Sequence, residues 1–433
     1  MNPGSTRKWW LSLPLLIVVA VAAYFLLPMT TERQASGPEA ADGVAAFLDR
    51  HWSTPLPAQA AVPQGWPADE AALGAEACGQ CHTQQYEDWQ TARHSHTMRA
   101  GILWQFHVFD QVDSNRCMDC HAPLAEQKAL AARDNAWPAA PVSDPPPHVP
   151  TDLHLQGLTC SACHVRGQRR FGPPSRKGLR GNEPDLPHGG FEPSAAFEDS
   201  RFCSGCHQFP EDGPRLNGKL RQDTYNEWLN SDYGRRNVTC QSCHMPDRRH
   251  LWRGISDPEM TRRALSLDID VAWREDGHLD VVAGIVNSGA GHHFPAYLVP
   301  RVEAHLVLID PAGRERVVLG RHVFQWRTGV DLEDEAYDQR LPAGESVQIA
   351  VSLSAPDQPG WAIGLRFEVA PKEHYERVYR DMLRQADQMR PDTLTLLRQA
   401  LAEAEATRYG GLWLSQPLPV RQAPAGAGGS IAN

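Results

Sequence analysis

The sequence predicts a mixed fold in three parts behind an N-terminal transmembrane helix. A loop-rich, mildly helical domain comes first, then an immunoglobulin-like β-sandwich, then C-terminal helices. Three observations predict it. Cys-x-x-Cys-His occurs five times between Cys78 and His244 and takes up all 10 cysteines. From Ala264 onward, short runs alternate apolar and polar residues with period two. An apolar run from Trp9 to Met29 follows Arg7 and Lys8. The expected boundaries are 1–30 for the anchor, 31–72 for a linker, 73–257 for the cysteine-rich domain, 258–372 for the sandwich, 373–410 for the helices and 411–433 for a disordered tail.

The 21 residues from Trp9 to Met29 are enough for one membrane-spanning helix. Positive residues before the run keep that end in the cytoplasm, which places the bulk of the chain on the periplasmic side of an inner membrane. A cleaved signal peptide is the rival. Val21-Ala22-Ala23 offers small residues, but Tyr24-Phe25-Leu26-Leu27 carries the apolar run past them, so a retained anchor is favoured. The linker is rich in Ala, Pro and Gly, with one short helix expected near Val44 to His51 and with His51 at the surface.

The five motifs read as c-type haem attachment: two thiols add across the haem vinyl groups and the next histidine becomes an axial ligand. The attachment residues are Cys78, Cys81 and His82; Cys117, Cys120 and His121; Cys160, Cys163 and His164; Cys203, Cys206 and His207; and Cys240, Cys243 and His244. Zinc sites and thioredoxin-like sites also use Cys-x-x-Cys, but neither needs a histidine after every second cysteine. Five covalently attached haem c groups are therefore expected, in a pentahaem cytochrome c domain. Motif starts are 39, 43, 43 and 37 residues apart, yet the sequence between them does not repeat. One echo stands out: Tyr86-x-x-Trp89 precedes His94 as Tyr225-x-x-Trp228 precedes Tyr233. Pro and Gly clusters at 137–150 and 172–194 interrupt long helices. Trp89, Trp104, Phe106 and Trp228 are expected to pack on haem.

Later runs read as strands. Leu265, Leu267, Ile269 and Val271 alternate, and 305–309, 347–351 and 364–369 continue the pattern between turns such as Asp276-Gly277. Two helical stretches follow near 373–389 and 391–408, separated before Pro391. The net charge of −10 disfavours nucleic acid as a partner, because phosphate binding needs a basic face. With every cysteine committed to haem, no disulfide is available.

The sixth iron ligands decide between carrier and enzyme, since a second histidine closes the iron and an open position admits substrate. Fourteen histidines lie outside the motifs. His94, His96, His154 and His250 are the leading distal candidates, ahead of His107, His148 and His188. Met98 could also serve. No Cys-x-x-Cys-Lys motif is present, the type that leaves an open catalytic haem in ammonia-forming pentahaem nitrite reductases.

Cys78-Gly-Gln-Cys-His82 with Tyr86, Trp89 and His94 resembles the opening element of the cytochrome c-554/c-552 family of multihaem cytochromes. Cys117 to Glu126 and Cys240-Gln-Ser-Cys-His-Met-Pro246 with His250 are similar to its later elements. Asn287-Ser-Gly-Ala-Gly-His-His-Phe-Pro295 resembles a G-H-x-F-P signature found in the β-domain of some relatives, with His292 at the signature position. The resemblance covers residues 75 to 350. It implies electron transfer, bis-His ligation of most haems, and His94 as a distal ligand. The chain departs from the family's type member, which has four haems, and has Tyr233 where the echo would call for histidine. His292 is either a haem ligand reaching over from the β-domain or a turn residue bonding the sandwich.

These observations favour a membrane-anchored electron carrier with unidentified redox partner proteins. The alternatives are an oxidoreductase of small nitrogen or sulfur oxyanions with one open high-spin haem, and a subunit of extracellular haem filaments.

Overall fold

The computed structural model describes residues 38–176, 186–356 and 358–419. Its first half is a set of short helices: α1 (Pro38–His51), α2 (Ala75–Gly79), α3 (Thr83–Gln90), α4 (Gln111–His121), α5 (Ala125–Asp134), α6 (Cys160–His164), α7 (Arg201–His207), α8 (Thr224–Leu229) and α9 (Cys240–His244). Four of the five motifs close a helix with their own histidine. Residues three and four apart share a helix face, so both cysteines and the histidine of each motif point the same way. In the first motif α2 ends at Gly79, and His82 still donates its backbone N–H to the Cys78 carbonyl at 2.9 Å.

This half is short of apolar core. One cluster joins Leu56, Leu73, Leu124, Leu130, Val149, Leu153, Ala162 and Val165, and another joins Met98, Ile102, Phe106, Met118, Ala122 and Ala131.

Beyond Ala264 the period-two runs form seven strands: β1 (Leu265–Trp273), β2 (His278–Asn287), β3 (Arg301–Ile309), β4 (Glu315–Phe324), β5 (Ser346–Ser354), β6 (Ala362–Ala370) and β7 (Tyr409–Pro417). One antiparallel sheet has the order β5-β2-β1 and the other β7-β6-β3-β4. The hairpin between β1 and β2 turns at Gly277, whose φ of 85° a side chain would resist. Inward residues of the two sheets, among them Ile269, Val281, Ile285, Val302, Leu306, Leu365 and Phe367, share one buried cluster. Each large side chain buried there contributes about 1.5–3 kcal/mol. The β-sandwich expected from the alternation is therefore present.

Two helices, α10 (Glu373–Leu383) and α11 (Pro391–Glu405), lie between β6 and β7 in sequence. They pack on Ala100 and Trp104 of the first half through Tyr379, Leu397, Ala400 and Ala404. Trp104 thus packs on α10 and α11. The expected tail at 411–433 is corrected in its first part, because β7 runs through 411–417 as an edge strand on β6. Gly410 and Gly411 dilute its pattern, but the Trp413 ring stacks on Phe367 at 4.0 Å. The helices are consequently an insertion in the sandwich and do not follow it. Among the described residues no helix is long and apolar enough to cross a membrane, and the Trp9–Met29 run and the tail from Gln422 lie outside them.

A small hairpin, Trp326–Thr328 with Glu335–Asp338, ties the two halves together. Lys219 from the first half lies over one side of the buried Trp326 ring at 4.7 Å, and Arg340 lies over it at 4.6 Å. Both cations also pair with Asp338, at 2.8 and 2.9 Å. Burial opposes the Asp338 carboxylate, yet Arg340 and Lys219 hold its pKa at about 2. A depressed carboxylate pKa stabilises the fold above the unfolded value near 4, and the contribution is lost as pH falls from about 4 to about 2. Allowing for solvent screening, it should amount to about 1 kcal/mol. Asp338→Asn is expected to lower the urea midpoint at pH 6 and leave it nearly unchanged at pH 2. Equal loss at both pH values would refute the assignment.

Candidate functional site

The local chain brings the motif histidines to fixed places, and the tertiary fold sets other histidines across from them. Three ring pairs have nearly one separation. His94 and His207 have centroids 6.3 Å apart, His164 and His250 6.1 Å, and His244 and His292 6.4 Å. Two imidazoles bound to opposite sides of one metal, each at about 2 Å, place their ring centroids about 6 Å apart.

The second ring nitrogen follows a common pattern. Metal-ligating histidines pass their other N–H to a carbonyl or carboxylate, which fixes the tautomer. Nδ1 lies 2.7 Å from the Phe171 carbonyl in His164, 2.6 Å from Arg253 in His244, 3.0 Å from Arg248 in His250 and 2.8 Å from His293 in His292. Each of these leaves Nε2 free. Burial, then neighbouring histidines, pushes the pKa of His94 down to about 3; burial and His250 push His164 to about 4; burial and His292 push His244 to about 4. All three are neutral at pH 7, the form that binds metal.

No cysteine is in a disulfide. The motifs approach one another at their thiols: Cys78 lies beside Cys160, Cys203 beside Cys240, and Cys120 beside Cys206. These contacts join the first motif to the third and the fourth to both the second and the fifth, and Cys163 of the third is an electrostatic neighbour of Cys203 and Cys206 in the fourth. Ten free thiols in i, i+3 pairs, beside neutral imidazoles with free Nε2 atoms, are a donor set that fits haem c.

The remaining candidates lie elsewhere. His82 is exposed, and His188 lies in its electrostatic neighbourhood, with Nδ1 2.8 Å from the Gly190 carbonyl. His121 places Nδ1 3.1 Å from the Thr97 carbonyl, and among the described residues no histidine ring stands across from it. His96 turns Nδ1 to the Ala92 carbonyl at 3.0 Å and is in no ring pair among the described residues. His154 is buried with Nε2 2.6 Å from Asp134 and is paired with no motif histidine among the described ring contacts. His51, expected at the surface, is 3 % exposed; it stacks on Phe47 at 4.8 Å, and its Nε2 lies 2.8 Å from the Cys163 carbonyl. The linker composition hid this, because the phenylalanines that enclose His51, Phe171 and Phe197, are far away in sequence.

Haem-attachment motifs on one folded domain, with histidines facing them, define a multihaem c-type cytochrome. Residues 77–143 match the family described as cytochrome c554 and c-prime. In fold the chain is similar to a penta-heme cytochrome c552 from Thermochromatium tepidum, with a TM-score of 0.53 at 17% identity, over 81% of this chain and 100% of that one. No curated protein matches the chain.

Proposed function

We propose that the chain is a membrane-anchored electron carrier holding five haem c groups, most of them bis-His, with its bulk in the periplasm. The observation that carries this is the trio of histidine pairs at 6.1–6.4 Å. His207 with His94, His164 with His250 and His244 with His292 would hold three irons from both sides. His82 and His121 would supply the proximal ligands of the other two. Haem contributes a reversible one-electron couple, and the chain contributes spacing, closure of the irons, and burial that tunes potential. Thiol approaches between motifs support close spacing of the haems these motifs would hold, which would suit transfer along the array. The Trp9–Met29 run behind Arg7 and Lys8 supports the anchor. Redox partners on either side are unidentified proteins.

The test is a low-temperature electron paramagnetic resonance (EPR) spectrum of the fully oxidised holoprotein. Low-spin ferric signals are expected for the irons at His164, His207 and His244. High-spin signals from these three would overturn the carrier reading.

A second reading, reduction or oxidation of a small nitrogen or sulfur oxyanion, rests on His121 and its surroundings. Tyr375 lies in the electrostatic neighbourhood of Cys117, and burial raises its pKa although the residue is 40% exposed. Tyr297, Arg93 and Lys372 are linked to it in one electrostatic group. None of the four side chains has a hydrogen bond or ion pair among the described residues. Two cations and two phenols, with the Glu403 carboxylate beside both cations, are the groups a small anion would meet. Under this reading a high-spin signal shifts when nitrite is added; a carrier with this haem closed gives no shift.

A further inference from the structure

We propose that Tyr86–Trp89 and Tyr225–Trp228 are equivalent clamps, each fixing both axial-ligand segments of one haem. The first would set the His164/His250 pair and the second the His244/His292 pair. The proposal rests on the bis-His reading above and explains an echo that the sequence shows but does not account for.

The tryptophans act on the proximal side. Trp89 donates its indole N–H to the Leu158 carbonyl at 2.9 Å, and Trp228 donates to the Val238 carbonyl at 2.9 Å. Each acceptor stands two residues before the first cysteine of a motif, Cys160 or Cys240. Each acceptor residue also returns its backbone N–H to the position five after the tryptophan: Leu158 to the His94 carbonyl and Val238 to the Tyr233 carbonyl, both at 2.9 Å. A left-handed residue precedes each, Gly157 at φ 67° and Asn237 at φ 52°. Both tryptophans are 8% exposed, and each packs on the tyrosine three residues earlier.

The acids act on the distal side. Asp88, just before Trp89, accepts the backbone N–H of His250 at 2.9 Å and two N–H bonds from Arg249 at 2.6 and 2.7 Å. Glu227, just before Trp228, accepts the backbone N–H of His293 at 3.1 Å and an N–H of Arg340 at 3.0 Å. That peptide is held from the other side as well, since Asn287 donates its side-chain amide to the His292 carbonyl at 2.9 Å. A planar peptide gripped at both its C=O and its N–H leaves the preceding Cα little freedom, so the His292 ring is aimed. Gly291 lets the loop pass close, because a Cβ there would stand 3.0 Å from the Tyr233 side chain and 3.2 Å from that of Trp228. Tyr233, which takes the place of His94, donates to the Ser288 carbonyl at 2.5 Å and braces the same loop.

The two assemblies repeat at a larger scale. The first-cysteine contact Cys78–Cys160 in one matches Cys203–Cys240 in the other. The chain thus carries two di-haem modules. The first is interrupted between His94 and Gly157 by the segment bearing the Cys117 motif, and its distal histidine comes from after the second module. The second module takes its distal histidine from the β-sandwich. Asp88 and Glu227 are positioning residues, since they act through the histidine segments they hold.

The test uses the full-length holoprotein, with EPR, midpoint potentials and cyanide binding read at each haem. Glu227→Ala and Trp228→Phe are expected to shift the signal and potential of the haem at His244 and to strengthen cyanide binding there by about 10–100-fold, the usual scale for removing an outer-shell partner. The haem at His164 should be unmoved. Asp88→Ala and Trp89→Phe should do the reverse. Glu227→Gln keeps an acceptor for His293 and should restore the low-spin signal, which separates positioning from general destabilisation. Clamp variants that move no haem, or move both alike, overturn the proposal. His250→Ala and His292→Ala are run beside them. If these change no spectrum, the bis-His reading fails and the clamps with it; if they change spectra while the clamp variants do not, only the clamps fail.

Discussion

Replacing Cys203 and Cys206 together by serine is expected to leave residues 73–257 without a stable fold. Their motif is the hub of the array: Cys203 meets Cys240, Cys206 meets Cys120, and His207 faces His94. The apolar clusters of this half hold eight and six buried residues, against sixteen in the sandwich. Haem faces must supply most of the missing apolar burial. Without the haem, the side chains that pack on it stay open to water, and each large apolar one forfeits about 1.5–3 kcal/mol. Two or three of them match the whole stability of an ordinary domain, about 5–15 kcal/mol. Haem stain, circular dichroism and limited proteolysis would show it. A variant with one haem fewer and unchanged protease resistance would refute the account.

His292→Ala is expected to turn one iron, that at Cys240–His244, from low-spin to high-spin. The ring of His292 lies 6.4 Å from that of His244 and nearly parallel to it, at 15°. Alanine leaves the loop otherwise intact, because Asn287 and Glu227 grip its backbone and not its imidazole. The midpoint of that haem should move by on the order of 0.1 V, a modest part of the roughly 0.8 V that axial ligands span. Spectra and potentials unchanged at every haem would make His292 a turn residue of the sandwich.

Much of this was legible because its causes are local. Cys-x-x-Cys-His places three groups on one helix turn, so Cys78 to His244 could be read without a fold. Alternation at 265–271 and 347–351 reports a strand with one buried face, and the break before Pro391 separates α10 from α11. A resemblance carried by five residues, Gly291 to Pro295, singled out His292 ahead of any geometry.

What the sequence could not decide is non-local. His94 meets His207 across 113 positions, His164 meets His250 across 86, and His244 meets His292 across 48. His96, two residues from His94, carries the same chemistry and faces no motif histidine. His51 sits in a stretch with linker composition and is buried by aromatics supplied from residues 171 and 197. The echo of Tyr86–Trp89 in Tyr225–Trp228 was visible, but its partners, Leu158 with His250 and Val238 with His293, come together only in space. The sequence by itself determined that this chain carries haem c attachment motifs and where each motif lies, because thioether chemistry needs only neighbours along the chain. The tertiary structure alone decided which histidines face which, because a ligand pair is a relation between segments that only packing brings to one place.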